Sequence, residues 1–146
     1  MPFRFKLDVV LRFREGVERT EEAALHRIVQ EIADVERQLQ EIDLRQVHLR
    51  EQREHDLVQK LPALHLMEIV EQEEMLNKTV DELRLRLQQL HTQRIEQLAV
   101  YQAAHQDRQV LSELREQQQR AYVLDQNRQE QKMLDDIFLA RWKDGD

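Results

Sequence analysis

Six histidines are the residues best suited by type to bind a metal or move a proton, and their spacing argues against both. They stand at 26, 48, 55, 65, 91 and 105. No two make an H-x3-H pair, and none follows an acid by three residues, the spacing that di-iron helix bundles use. Glu51 and His55 share a face at i,i+4, an ordinary surface pair, and His48 lies on the same solvated stripe. Cysteine is absent, so there is no disulfide framework and no thiolate metal site, which fits a reducing compartment. Gly16 and Gly145 are too few and too far apart for a phosphate-cradling loop or a dinucleotide fingerprint. Ser112 is the only serine and has no activating base close in sequence. Carboxylates recur along the whole chain, so no pair stands out for acid–base work. The expectation is a protein with no enzymatic activity, no metal and no cofactor of its own.

Composition narrows the class further. The 146 residues are 35% charged and 5% aromatic, with a mean hydropathy of -0.77. That is too polar for a globular core of normal size, yet Leu, Ile, Val and Ala recur throughout, unlike a disordered chain. Two Gly and two Pro are too few for a fold with many turns. Abundant Glu, Gln, Arg and Leu with so few breakers indicates long helices. The net charge of -7 has the wrong sign for a general nucleic-acid binder. No run approaches the roughly 20 apolar residues of a membrane span, and Arg4, Lys6, Asp8 and Arg12 interrupt any secretory signal core. A cytoplasmic protein is expected.

The elements follow from periodicity. Leu25, Ile28, Ile32, Val35, Leu39, Ile42, Gln46, Leu49 and Arg53 alternate by three and four, a stripe that buries only against another helix. Upstream, Val10, Val17 and Ala24 keep a seven-residue spacing one position out of step, which predicts a small slip in the seam near Ala24. A second seam runs through Ile69, Glu73, Leu76, Val80, Leu83, Leu87, Leu90 and Arg94, then Tyr101, Ala104, Arg108 and Leu111. Pro62, between the two, lacks an N–H and disfavours helix at Leu61; Gly16 is tolerable within a helix at about 1 kcal/mol. The fold class is therefore all-α: an antiparallel, left-handed coiled-coil hairpin in a single domain with the second helix longer. Helix one is expected near 8–58 with Asp8 as N-cap, the turn near 59–65, and helix two near 66–142.

Reflection about Pro62 sets residue 8 opposite residue 116. The last ~25 residues of helix two then overhang by about 37 Å. They carry Tyr122, Met133, Leu134, Ile137, Phe138 and Trp142, an apolar surface with no hairpin partner, at the same end as the basic, aromatic N-terminus. Two readings of that end stay open: it is gripped by another protein, or Leu134, Ile137 and Phe138 fold back on Phe3, Phe5 and Leu7 and close the hairpin.

The start, F-R-F-K-L-D-V-V-L-R-F-R-E, resembles the N-terminal signature of the FliJ family of flagellar export proteins, a basic-aromatic lead followed by V-L-x-x-R. The tail, R-A-Y-V-L-D-Q-N-R-Q-E-Q-K-M-L-D-D-I-F-L-A-R, is similar to that family's C-terminal end. The resemblance implies a cytoplasmic component of the flagellar type III export apparatus, peripheral to the inner membrane. It implies a coiled coil like the central stalk of rotary ATPases, whose termini enter a hexameric export ATPase. Further implied partners are the cytoplasmic domain of the export gate and the export chaperones. On this basis Phe3, Arg4, Phe5, Leu7, Arg12, Tyr122, Arg128, Lys132, Leu134 and Phe138 are the expected ATPase contacts. Gln38, Leu44, Val47 and Leu85 are the candidates for the export gate, in a region where Arg45 and Leu49 depart from the more aromatic sequences of some members. The competing classes are an injectisome stalk, a structural coiled-coil scaffold, and a peripheral membrane binder using the N-terminus.

Overall fold

Pro62 marks where the helical pattern breaks, and the structure turns there. The computed structural model describes residues 2–145 and folds them as a helical hairpin of α1 (Asp8–Val58) and α2 (Ala63–Asp144), 51 and 82 residues long. The Leu11 N–H donates to the Leu7 carbonyl at 2.9 Å, so Leu7 is the N-cap, one position earlier than expected, and Asp8 the first helical residue of a helix that keeps the expected bounds 8–58. Asp8 still suits the site, because a carboxylate in the first turn faces the positive end of the helix. It also accepts from Arg12 Nε at 3.1 Å.

The turn is shorter than the expected 59–65. The Leu61 N–H donates to the Asp56 carbonyl (3.2 Å) and the Lys60 N–H to the Leu57 carbonyl (3.4 Å). This is the six-to-one and five-to-two pair of a Schellman cap. Lys60 takes the left-handed conformation that the cap requires, with φ 51. Pro62 follows at once, and α2 starts at Ala63 rather than 66. A proline at a helix start gives up only an N–H that has no intrahelical acceptor there, and its carbonyl accepts from His65 N–H at 3.0 Å. At the far end α2 runs to Asp144, beyond the expected 142, with Gly145 N–H closing onto the Arg141 carbonyl at 3.1 Å.

Contacts group the chain into two units. The turn unit comprises residues 21–101. Within it Glu31 meets Arg86, Gln46 meets Asn77 and Arg53 meets Glu73, so α1 and α2 run antiparallel. Its core is Ile32, Val35 and Leu90, with Ile28, Leu39, Leu83 and Leu87 packed against them. Leu49 and Leu90 are the largest fully buried side chains, each worth about 1.5–3 kcal/mol of burial. These are the positions that the three-and-four spacing selects.

The terminal unit comprises residues 2–20 and 102–145. Here the expected slip does not occur. Leu11 is 2% exposed and Val10 43%, so the buried position is the one in step with Leu25. The α1 residues that reach across to α2 here are Arg14 and Glu18, and Glu21, at the edge of the turn unit, accepts from Gln97 within that unit. Positions 11, 14, 18, 21, 25 and 28 keep the alternation without interruption. The apolar pattern misled because three of these positions carry polar side chains satisfied across the helix pair rather than buried hydrocarbon.

Candidate functional site

In the terminal unit the N-terminal segment is held by aromatic packing. The Phe3 ring lies 5.6 Å from that of Tyr122, tilted by 49°, a geometry worth about 0.5–1.5 kcal/mol beyond area burial. Phe5 is buried and the Asp8 N–H donates to its carbonyl at 3.1 Å. Three expected contact residues, Phe3, Phe5 and Tyr122, therefore brace the unit from inside. Arg4, Leu7, Arg12, Arg128 and Lys132 are exposed.

The fold-back does not occur, since Phe3 meets Tyr122 and the distal α2 residues stay open. Leu134 is 61% exposed and Phe138 69%. With Ile137 and Trp142, both exposed, they fall at i, i+3, i+4 and i+8, one face of the helix. Every described residue from 127 onward is exposed. This is a solvated helix with an apolar stripe. The reading from sequence missed two residues of the same unit, Val9 and Phe13, which are also open; they lie off the seam, where single apolar residues carry no signal.

A polar cluster sits deeper in the unit. Glu18 accepts from Arg108 Nε at 2.5 Å and from Arg108 Nη2 at 3.3 Å, with His105 Nδ1 3.1 Å from its Oε1. Arg14 reaches Asp107 at 3.3 Å. The Arg108 hydrogen bond holds the Glu18 carboxyl below its ordinary range. Desolvation opposes this, and His105 and the Arg108 charge add to it. This arrangement locks register and offers no enclosed pocket for a substrate. Among the described residues no group of His, Asp and Glu is arranged to hold a metal ion, and no helix is long and apolar enough to cross a membrane.

The four gate candidates lie in the turn unit, and all are exposed. They do not form one patch. Leu44 and Val47 are 60° apart around α1, whereas Gln38 lies half a turn round from Val47 at 100° per residue. Arg86 pairs with Glu31 and Asn77 with Gln46, so Leu85 lies about 13 Å along α2 from the level of Val47. The turn itself presents a denser apolar set: Leu57, Val58, Leu61, Leu64 and Met67 are exposed. The signal for it was a run from 57 to 67 whose one formal charge is Lys60. Beneath it Asp56 is buried, with His65 Nδ1 3.5 Å from its Oδ2.

Residues 3–145 match the family model described as Flagellar FliJ protein. No curated protein and no solved structure matches the chain.

Proposed function

The chain belongs to the flagellar FliJ protein family, a component of flagellar type III export, and on that premise we propose that it is a stalk-like coiled coil held at its terminal unit by the hexameric export ATPase. The observation that carries this is the stripe of Leu134, Ile137, Phe138 and Trp142, open along a helix that has no partner there. Apolar surface presented in this way is a docking surface. Phe3, Phe5 and Tyr122 brace the unit, while Arg4, Arg12, Arg128 and Lys132 add charge that orients an encounter more than it adds affinity. In this reading Leu7 lies at the edge of the same contact.

The export gate is assigned Leu44 and Val47 on one face, with Gln38 and Leu85 as separate contacts. Export chaperones complete the partners, and the protein works in the cytoplasm beside the inner membrane at the flagellar base. No catalytic step is its own; its effect on ATP turnover is exerted through the ring.

Titrating the full chain into the cognate export ATPase should promote hexamer formation and raise ATP turnover. The double variant Leu134→Glu/Phe138→Glu, altered at exposed positions that leave folding intact, should do neither. The reading fails if the wild-type chain changes neither quantity, or if the double variant acts like wild type. A stable homodimer that hides the stripe before any ATPase is added would favour the scaffold instead.

A further inference from the structure

Burial at the turn ends on a polar group. The three-and-four alternation of α1 continues from Leu49 through Arg53 to Asp56, where an apolar side chain would close the seam beneath the turn. Asp56 is buried instead, at 4% exposure. No residue from 57 to 68 is buried, and of these Leu66 alone is half-buried. The buried side chain of α1 nearest the turn is therefore a carboxyl group. Its surroundings do not satisfy it. Asp56 Oδ2 accepts no hydrogen bond from any described residue. His65 Nδ1 lies 3.5 Å from it, on a side chain that is half exposed. Arg53, one turn earlier, is committed to Glu73 at 3.0 Å. Asp56 also stands in the last turn of α1, at the negative end of the helix.

A buried polar atom without a partner costs free energy in the closed turn, and water satisfies it in an open one. Lys60 adds strain of its own, with φ 51. Further in, the seam is closed by hydrocarbon, since Ile69 is 3% exposed and Leu49 2%. We propose that the hairpin is built to open locally from its turn. The segment from Asp56 to Glu68 unlatches as a unit, with Asp56 holding its closed form close to balance, while Leu49 and Ile69 keep the seam shut. The open form hydrates Asp56 and frees Leu66 to join Leu61, Leu64 and Met67, which are already exposed. The turn can thus rearrange its apolar surface without loss of register in the seam. This device is independent of the stalk reading.

Amide hydrogen exchange of the full chain at neutral pH tests it. The N–H groups of Gln59 and Leu61 close the end of α1 onto the His55 and Asp56 carbonyls. In the wild type they should exchange through an opening at least about tenfold more populated than the one that exposes the Leu90 amide. Asp56→Leu, which places hydrocarbon at the buried seam position, should slow exchange at Gln59 and Leu61 by about tenfold, and Asp56→Asn should slow it less. Glu54→Leu, at an exposed position in the same stretch of α1, should change it by less than about threefold. Wild-type Gln59 and Leu61 amides as protected as that of Leu90 would overturn the proposal. So would exchange in both Asp56 variants as fast as in wild type or faster, which would make Asp56 a stabilising partner of His65. Equal slowing by Glu54→Leu would assign the effect to helix propensity and overturn it as well. If Asp56→Leu fails to fold, Asp56→Asn decides.

Discussion

In the turn unit the helices meet through Ile32, Val35, Leu83, Leu87 and Leu90. In the terminal unit they meet through Arg14, Glu18, His105 and Arg108, with Leu11 and Ala104 as buried apolar residues. The helical spacing is the same and the chemistry differs. Hydrocarbon burial is strong but non-directional, so a run of Leu and Ile holds helices together while tolerating neighbouring registers. A carboxylate bound at both oxygens by one guanidinium is directional. It is worth less, since desolvation offsets much of the gain, but a shift of one residue would leave both charges unsatisfied. Adhesion belongs mainly to the first region and registration to the second. Under the stalk reading proposed above, that division keeps the exposed faces of the terminal unit in a fixed order.

The sharpest way to break this comparison is to remove adhesion. Leu90, 0% exposed, truncated to Ala should cost about 2–5 kcal/mol, measured by denaturant unfolding. If Leu90→Ala cost less than the loss of Glu18, the assignment of adhesion to the apolar seam would be wrong.

Glu18→Gln addresses registration. At neutral pH it should cost about 1–2 kcal/mol, between the values for a charged hydrogen bond and for a surface ion pair. The pH dependence has a definite sign. The folded carboxyl is held below its ordinary range, chiefly by the Arg108 hydrogen bond. Its contribution is therefore complete above the unfolded glutamate value of about 4.3, and is lost as pH falls through the lower folded value. The stability difference between wild type and Glu18→Gln should stay level near neutrality and shrink below about pH 4. A difference that stayed constant through the acid range would show that the lost charge is not what matters.

The turn unit was the more legible region for the same reason. Its seam is written in Leu, Ile and Val, and position by position from Leu25 to Arg53 and from Ile69 to Leu90 those residues are buried or half-buried. At Arg14, Glu18 and Glu21 the seam is polar, so periodicity of apolar residues jumped to Val10, Val17 and Ala24. The clustering of Phe3 with Tyr122 in one unit follows from reflection about Pro62. Their inward use does not, because it depends on how the extended segment before Asp8 folds onto the helices. Val9 and Phe13 carry no signal as single apolar residues off the seam. The four gate candidates share only their position off the seam, and the angle around α1 separates Gln38 from Val47.

The turn offers the smallest effect and the cleanest one. Lys60 holds φ 51, where a side chain costs about 1–2 kcal/mol. Lys60→Gly removes that strain and returns part of it as greater freedom of the unfolded chain, about 0.5–1 kcal/mol. The net expectation is a gain of under about 1 kcal/mol, read as a higher denaturation midpoint at unchanged m-value. The Schellman bonds to the Asp56 and Leu57 carbonyls use backbone groups alone, so the substitution leaves them in place. A loss of stability in Lys60→Gly would mean that the lysine side chain contributes more to the turn than its strained backbone costs. Then the turn would resemble the terminal unit, held by specific polar groups, and the contrast between the two regions would fail at that point.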